Sequence, residues 1–315
     1  MKKMLLFVNP AAGREEMQHA LMDVISRFTA AGYDVTCHPT QKPRDISEVL
    51  ADRGADYDMI VTCGGDGTLN ETVTGMMHLN KKPKPVLGYI PAGTVNDFAT
   101  SLHIPKTIPE AVANIIEGVP FPVDMGGFND QYFTYVAAFG AFTKVSYATP
   151  HASKQALGRA AYLLEGIRSL GDIHPIHVAV KTEDTEIEDD VILGMVTNAT
   201  SVGGFRALDD DIVKMDDGLN ELVLVRAPKD LVGFNNLMGA LLLRDFSPEY
   251  FHILQSAYVT LEFDEPVAWT LDGEYGGETS KADIININKP VRIMVPGQEC
   301  RTRAGADAPA LFIRR

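Results

Sequence analysis

Apolar residues recur along the chain with two different periods, and the change between them divides it. In the first part, short apolar runs alternate with amphipathic stretches. MLLFVN (4–9) reads as a buried strand. In REEMQHALMDVISRFTAAG, which follows, Met17, Leu21, Val24, Ile25 and Phe28 fall at helical spacing and Gly32 is placed as a C-cap. DVTCH, MIVTC and PVLGYI read as further strands, and ISEVLADRG, TLNETVTGMMH and TIPEAVANIIEG as helices. Strand–helix units repeated at this interval predict an α/β domain with a parallel sheet covered on both faces.

Near residue 125 the pattern changes. DMGGFNDQYFTYVAAFGAF reads as two apolar strands around an Asn129-Asp130 turn, and a helical segment, KQALGRAAYLLEGIRSL, follows. IHVAV, EIEDDVILGMVTNAT, LNELVLVRA, AYVTLEF, VAWTL, DIININ and VRIMV then read mostly as strands, interrupted by a helix in DLVGFNNLMGALLLRDF. This half is expected to form a mainly antiparallel β-sandwich or barrel.

Composition narrows the function. A chain of 315 residues accommodates two domains with ordinary cores. The formal net charge of -14 argues against nucleic-acid binding and against broad attraction to anionic membranes. The opening MKKMLLFVNPAAG has a five-residue apolar core, MLLFV, short of the roughly 7–15 residues of a secretory signal. No apolar run approaches the roughly 18–20 residues of a membrane span. Cys37, Cys63 and Cys300 show no metal or disulfide spacing, so a reduced, cytoplasmic protein is expected. The eight histidines show no His-x-x-x-His spacing, which argues against zinc catalysis.

The chemistry is concentrated in loops. Gly64-Gly65-Asp66-Gly67-Thr68 lies between a buried strand and a helix, where ligands bind at the carboxyl edge of a parallel sheet. Glycines allow backbone approach, and Thr68 is placed to cap the helix. It is neither a Walker loop nor a dinucleotide fingerprint. Asp66 alone repels phosphate, whereas a divalent cation reconciles the two. The alternative is a tight turn with Asp66 in an N-cap-like place. PAGTVNDFATSL repeats the design, with Gly93, Thr94, Asn96 and Asp97, and Asn9-Pro10-Ala11-Ala12-Gly13 follows the first strand. Three small-residue loops emerging on one sheet edge predict a nucleotide site. Two acidic turns lie in the second half. Asp272-Gly273-Glu274 reads as a hairpin turn after an apolar strand, and Asp216-Asp217-Gly218 as an ordinary tight turn into a strand.

NPAAG, GGDGTLNE and PAGTVNDFA, in this order and spacing, resemble the diacylglycerol kinase catalytic domain family, and specifically the soluble bacterial lipid kinases. FTKVSYATPHASKQALGRAAYLLEG, TNATSVGGF, MDDGLNELVLV and LDGE extend the resemblance over nearly the whole chain. GGDGT alone is shared with NAD, sphingosine and ceramide kinases. The chain departs from the family at Asp209 to Asp211, where a proline-containing stretch is more usual.

The resemblance implies an N-terminal domain like that of phosphofructokinases and NAD kinases, over 1–125, with the chain end at 300–315 returning to it. A lipid-substrate β-sandwich over 126–299 is implied across a cleft. It implies ATP contacts at Asn9, Pro10, Ala11, Ala12, Gly13, Arg14, Thr40, Gly65, Asp66, Gly67, Thr68, Leu69, Asn70, Glu71 and Thr94. It makes Glu274 the general base, with Asp66 and Asp272 as further catalytic carboxylates. A structural Mg²⁺ is implied at the Lys214 carbonyl, Asp217 and the Leu219 carbonyl, connected to the active site through Asp97, Asp124 and Asp216.

The expected activity is transfer of the γ-phosphate of Mg-ATP to a lipid hydroxyl, first of all diacylglycerol, giving phosphatidic acid. Another glycerolipid, a polyprenol or a sphingoid base is the alternative acceptor, and a nucleotide-binding regulator without turnover the alternative class. A lipid substrate requires transient contact with the inner face of the membrane. Lys154, Arg159 and Arg168 beside Leu157, Ala161 and Leu164 are either a docking helix or a helix packed on the β domain. Related kinases often form homodimers, although no stripe here marks a dimer face.

Overall fold

The structure, a computed structural model, describes residues 1–10, 12, 16–141, 174–202, 205–206, 213–243 and 245–297. The expected helix at 154–170, the acidic triplet Asp209 to Asp211, Cys300 and the chain end from 301 lie outside the described residues. The chain forms two compact units. One comprises Met1–Val123 with the chain from Lys289 onward, and the other Asp124–Asn288.

The first unit is built on a parallel sheet. β1 (Lys2–Val8) pairs in parallel with β2 (Tyr33–Pro39) and β3 (Met59–Gly64), and β3 pairs in parallel with β4 (Val86–Pro91). All six residues of β3 are buried, as a strand with helices on both faces requires. Alternate residues feed opposite cores. Val61 and Cys63 join Met17, Val24 and Phe28 of α1 (Glu16–Ala30) and Ala111, Val112 and Ile115 of α5 (Ile108–Glu117), while α4 is the short helix Asp97–Ser101. Thr62 points the other way and accepts a 3.1 Å bond from the hydroxyl of Thr72 in α3 (Asp66–Met77). Gly75 of α3 lies so close to Leu50 of α2 (Asp45–Arg53) that a Cβ would stand 2.7 Å from its Cδ1.

The return to the first unit begins at Lys289 rather than at 300. Val291, Ile293 and Val295 are buried, and Ile293 pairs in parallel with Leu87. Asn114 donates to the Met294 carbonyl at 3.0 Å and Arg292 to the Lys84 carbonyl at 3.2 Å, which fixes the returning strand.

The second unit is antiparallel. Its strands include the end of β5 (Val119–Phe128), β6 (Gln131–Phe133), β7 (Val136–Gly140), β8 (Ile176–Lys181) and β9 (Glu186–Thr197). The short β10 (Ser201–Val202) and β11 (Phe205–Arg206) pair with each other. β12 (Asn220–Arg226), β13 (Phe251–Ser256), β14 (Tyr258–Leu271) and the first part of β15 (Glu274–Val295) follow. Neighbours run β13-β12-β9-β7-β14-β15, with β8 beside both β9 and β14. Leu222 and Leu224 face a core centred on Trp269, whose ring lies 4.8 Å from those of Phe128 and Phe139. Val223 and Val225 face a second core closed by Leu237 and Ala240 of α6 (Leu231–Leu243).

AYVTLEF and VAWTL are one strand, β14, because Pro266 falls where its pairing with β15 shifts register, between Glu262 and Val267. DIININ and VRIMV likewise belong to β15, which changes from the second unit to the first at Lys289, a residue with φ 51.

Trp269 is the only tryptophan and is fully buried, so its fluorescence reports on the second unit alone. Trp269→Ala is expected to destabilise this unit by about 3–5 kcal/mol, measured by urea unfolding followed by circular dichroism.

Candidate functional site

Parallel register brings the strand ends of the first unit level. Val8 lies beside Pro39 and Cys63, and Gly64 beside Pro91. The residues that follow, Asn9, Thr40, Gly65 and Ala92, therefore start four adjacent loops. Each loop is tied to its neighbour: Asn9 N–H donates to the Cys63 carbonyl (3.0 Å), Thr40 N–H to that of Val8 (2.9 Å) and Ala92 N–H to that of Gly64 (2.8 Å). The Asn9 side-chain amide adds a 3.1 Å bond to the hydroxyl of Thr68.

Two of the loops touch through glycine. A Cβ on Gly93 would stand 2.5 Å from the Gly65 Cα, so this approach requires glycine there. Gly65 is the N-cap of α3, with no side-chain cap bond. Thr68 is therefore not the expected cap. It sits inside the first turn, where its hydroxyl accepts from Asn9. The first-turn N–H groups of α3 thus face the loop edge without a side-chain acceptor from the cap residue, an arrangement suited to an anion.

Asp66 opens α3 and is half-buried, and its Oδ2 accepts the Asp97 N–H at 3.3 Å. Asp97 opens α4 and is 1% exposed. Ahead of it Asn96, at φ 57, folds the third loop back on itself: its Oδ1 accepts the Gly93 N–H (3.0 Å) and its amide donates to the Gly93 carbonyl (2.9 Å). Tyr89 lies beneath and donates to the same Oδ1 at 3.3 Å. Burial, then the charges of Asp66, Cys63 and Asp97, hold its phenol well above the usual range, so it remains a neutral donor.

The remaining residues implied by the resemblance differ in placement. Pro10, Gly67 and Thr94 are exposed, and Ala12 and Asn70 half-buried. The Leu69 side chain is fully buried in the core. Glu71 accepts the Ile46 N–H at 2.8 Å, so its carboxylate holds the start of α2. Ala11, Gly13 and Arg14 lie outside the described residues. The loop at Thr40 is fixed by Asp45, whose Oδ2 accepts the Gln41 N–H (2.8 Å) and meets His38 Nε2 (3.0 Å). Those two bonds hold the Asp45 carboxyl below its ordinary value.

In the second unit Leu271 pairs directly with Glu274, so Asp272 and Gly273 form a two-residue hairpin, at φ 52 and φ 85. The Asp272 carboxylate points inward. Its Oδ2 accepts the N–H (2.7 Å) and hydroxyl (2.6 Å) of Thr134, and its Oδ1 the N–H groups of Tyr135 (2.9 Å) and Val136 (3.0 Å). Burial pushes this carboxyl up from its ordinary value, while the four donors act in the opposite direction. Glu274 is exposed. The two acidic residues of one turn thus face different ways: Asp272 anchors the turn and Glu274 projects from it.

The second acidic turn is anchored from within its own unit. Asp124 is fully buried, its Oδ2 accepts the Gly218 N–H at 2.6 Å, and its N–H donates to the Met215 carbonyl at 2.8 Å. Asp217 is exposed and accepts the Leu219 N–H at 3.0 Å, while the Leu219 carbonyl accepts from Asn286 at 2.9 Å. Lys214 is exposed and Asp216 half-buried. Among the described residues no three His, Cys, Asp or Glu side chains converge as a metal site. The implied metal would be held mainly by main-chain oxygen, a donor set that fits a hard cation. Thiol chemistry is disfavoured at Cys63, which burial and then Cys37 push up to about 12.

Asn96 was expected to satisfy backbone groups or face a ligand, and it does the first; Tyr89, Asp45 and Thr134 were not singled out from the sequence. Asn96 and Tyr89 carried a signal, an amide and a phenol flanking Pro-Ala-Gly after an apolar strand. Thr134 carried none, because its partner is 138 residues away.

The family model of the diacylglycerol kinase catalytic domain matches residues 3–128. A diacylglycerol kinase of Bacillus subtilis (strain 168) is 32% identical over 301 residues, 95% of this chain and 98% of that protein. One of Staphylococcus epidermidis is 32% identical over 298 residues, 94% of this chain and 92% of that protein. A crystal structure of a diacylglycerol kinase from Bacillus anthracis strain Sterne superposes with a TM-score of 0.78 at 26% identity, covering 95% of this chain and 98% of that one.

Gly93→Ala forces the two glycine loops apart and is expected to cost about 1–3 kcal/mol, read by thermal denaturation. Asp45→Asn is expected to lose about 1–3 kcal/mol at pH 7. Because the folded-state value of Asp45 is lowered, its contribution is complete above the unfolded value and is lost as pH falls through the folded one. The gap between wild type and variant therefore closes below about pH 4, measured by urea unfolding across pH.

Proposed function

The chain belongs to the diacylglycerol kinase family and is a lipid kinase, and from that premise we propose that it transfers the γ-phosphate of Mg-ATP to the hydroxyl of diacylglycerol, giving phosphatidic acid and ADP. The observation that carries the nucleotide half is the contact of Gly65 with Gly93 beside an α3 N-terminus whose cap residue, a glycine, brings no side-chain acceptor. Backbone N–H groups of this edge take the phosphates. Asn9 holds the loops in register through Thr68, and Thr40 and Thr94 flank them. Asp66, set by the Asp97 N–H, is the carboxylate on the metal side. Magnesium, when bound, neutralises charge on the transferring phosphate.

Glu274 is the proton acceptor. It is the exposed carboxylate of a turn that Asp272 holds rigid, and a base must reach its proton without shedding structural bonds. The acceptor O–H proton passes to Glu274 as the new O–P bond forms, and the bond from phosphorus to the bridging oxygen breaks to release ADP. At the second acidic turn, the Lys214 and Leu219 carbonyls and Asp217 would hold a structural cation, with Asp216 beside them and Asp124 fixing the turn through Gly218. No helix among the described residues is long and apolar enough to cross a membrane. A lipid acceptor implies contact with a membrane surface.

The test is transfer of labelled γ-phosphate from ATP into vesicles that contain diacylglycerol and, separately, into a total lipid extract. Label in phosphatidic acid is expected. Glu274→Gln is expected to lower kcat at least about 10²-fold, Asp66→Ala to remove metal-dependent turnover, and EDTA to stop the reaction. Label in another lipid alone would move the acceptor assignment, and no lipid label with ATP bound would refute it.

A further inference from the structure

The base-bearing turn is joined to the chain at 134–136 by five hydrogen bonds. Four run to the Asp272 carboxylate, and the fifth from the Asp272 N–H to the Val136 carbonyl at 2.8 Å. Backbone groups supply every donor but one, and those would be present whatever the side chains. The exception is the Thr134 hydroxyl, at 2.6 Å the shortest of the set, on a side chain that is fully buried.

We propose that Thr134 is a positioning residue for phosphoryl transfer, fixing the Asp272 carboxylate and, through it, the two-residue turn that aims Glu274. This rests on the reading of Glu274 as the proton acceptor. Thr134 touches neither substrate nor reacting atoms. Its effect passes through a turn with no slack, because Leu271 and Glu274 are directly paired and Asp272 is held in a left-handed conformation that few residues adopt. Without the hydroxyl, Oδ2 loses its shortest bond, and the carboxylate is held less firmly about its bond to Cβ. The turn then rocks, and Glu274 moves away from its aim on the acceptor.

Thr134→Val removes the hydroxyl at nearly constant shape and keeps the backbone N–H. Thr134→Ser keeps the hydroxyl and loses the methyl. Both are assayed with labelled ATP and diacylglycerol in mixed micelles, alone and with Glu274→Gln. The valine variant is expected to lose about 10–100-fold in kcat with KM for ATP within about twofold. The serine variant recovers most of this, and valine has no further effect in the Glu274→Gln background. A valine variant within about twofold of wild type in kcat overturns the proposal. So does an equal loss in both backgrounds, a serine variant no better than valine, or a valine variant that does not fold. A wild type that phosphorylates no lipid removes the function itself and this inference with it, a result read before any variant is compared.

Discussion

In a parallel sheet every strand ends at the same edge, and neighbouring ends lie only about 4.8 Å apart. The chemistry of the first unit follows from that constraint. Loops that begin so close together must be built of small residues or must bond to one another, and here they do both. Gly65 and Gly93 meet backbone to backbone, while Asn9, Thr40 and Ala92 each donate an N–H to the strand end alongside. The loops bond to one another, and the first turn of α3 begins at this edge behind a glycine cap that supplies no side-chain acceptor. That pattern, more than any single residue, is what the phosphate site proposed above rests on.

Carboxylates follow a second logic. The protein is acidic, and the acidic residues described at its turns divide by what they meet. Asp272, Asp124 and Asp45 are buried and accept backbone N–H groups, so their charge is used in holding turns. Glu274 and Asp217 stand exposed, each within two residues of a turn that a buried carboxylate anchors. An anchored turn with a projecting acid is stiffer than a flexible loop carrying the same residue, and a proton acceptor needs that stiffness because its rate depends on aim. Asp66 falls between the two kinds, half-buried and bonded to a neighbouring helix, which suits a group that shares a cation with phosphate.

The strands and helices of the first unit were legible because burial on both faces leaves long apolar runs and clean helical spacing. The second unit was read with more breaks than it has. Pro266 and Lys289-Pro290 look like strand ends, yet β14 and β15 run through them by a shift of register and a change of unit. FHILQS was not read as a strand, since only Phe251 and Ser256 of β13 are buried and its pattern is too weak to stand alone. Thr68 was misplaced by three positions, because GGDGT offers several residues able to cap and only the chain's path shows that Gly65 does.

By itself the sequence determined the strands and helices of the first unit and most of those of the second, where the glycine loops and acidic turns fall, and through their order the family. Those features depend on neighbours a few residues apart, or on motifs whose spacing is preserved in the string. Tertiary structure alone decided which polar groups are spent. Leu69 and Glu71 belong to the same motif as Asp66, but one is sunk in the core and the other holds α2. Asp272 and Glu274 share a turn, and a threonine 138 positions before Asp272 captures it and leaves Glu274 outward. A hydrogen bond between distant positions leaves no period and no motif in the chain, since it is created only when folding brings donor and acceptor within about 3 Å of each other.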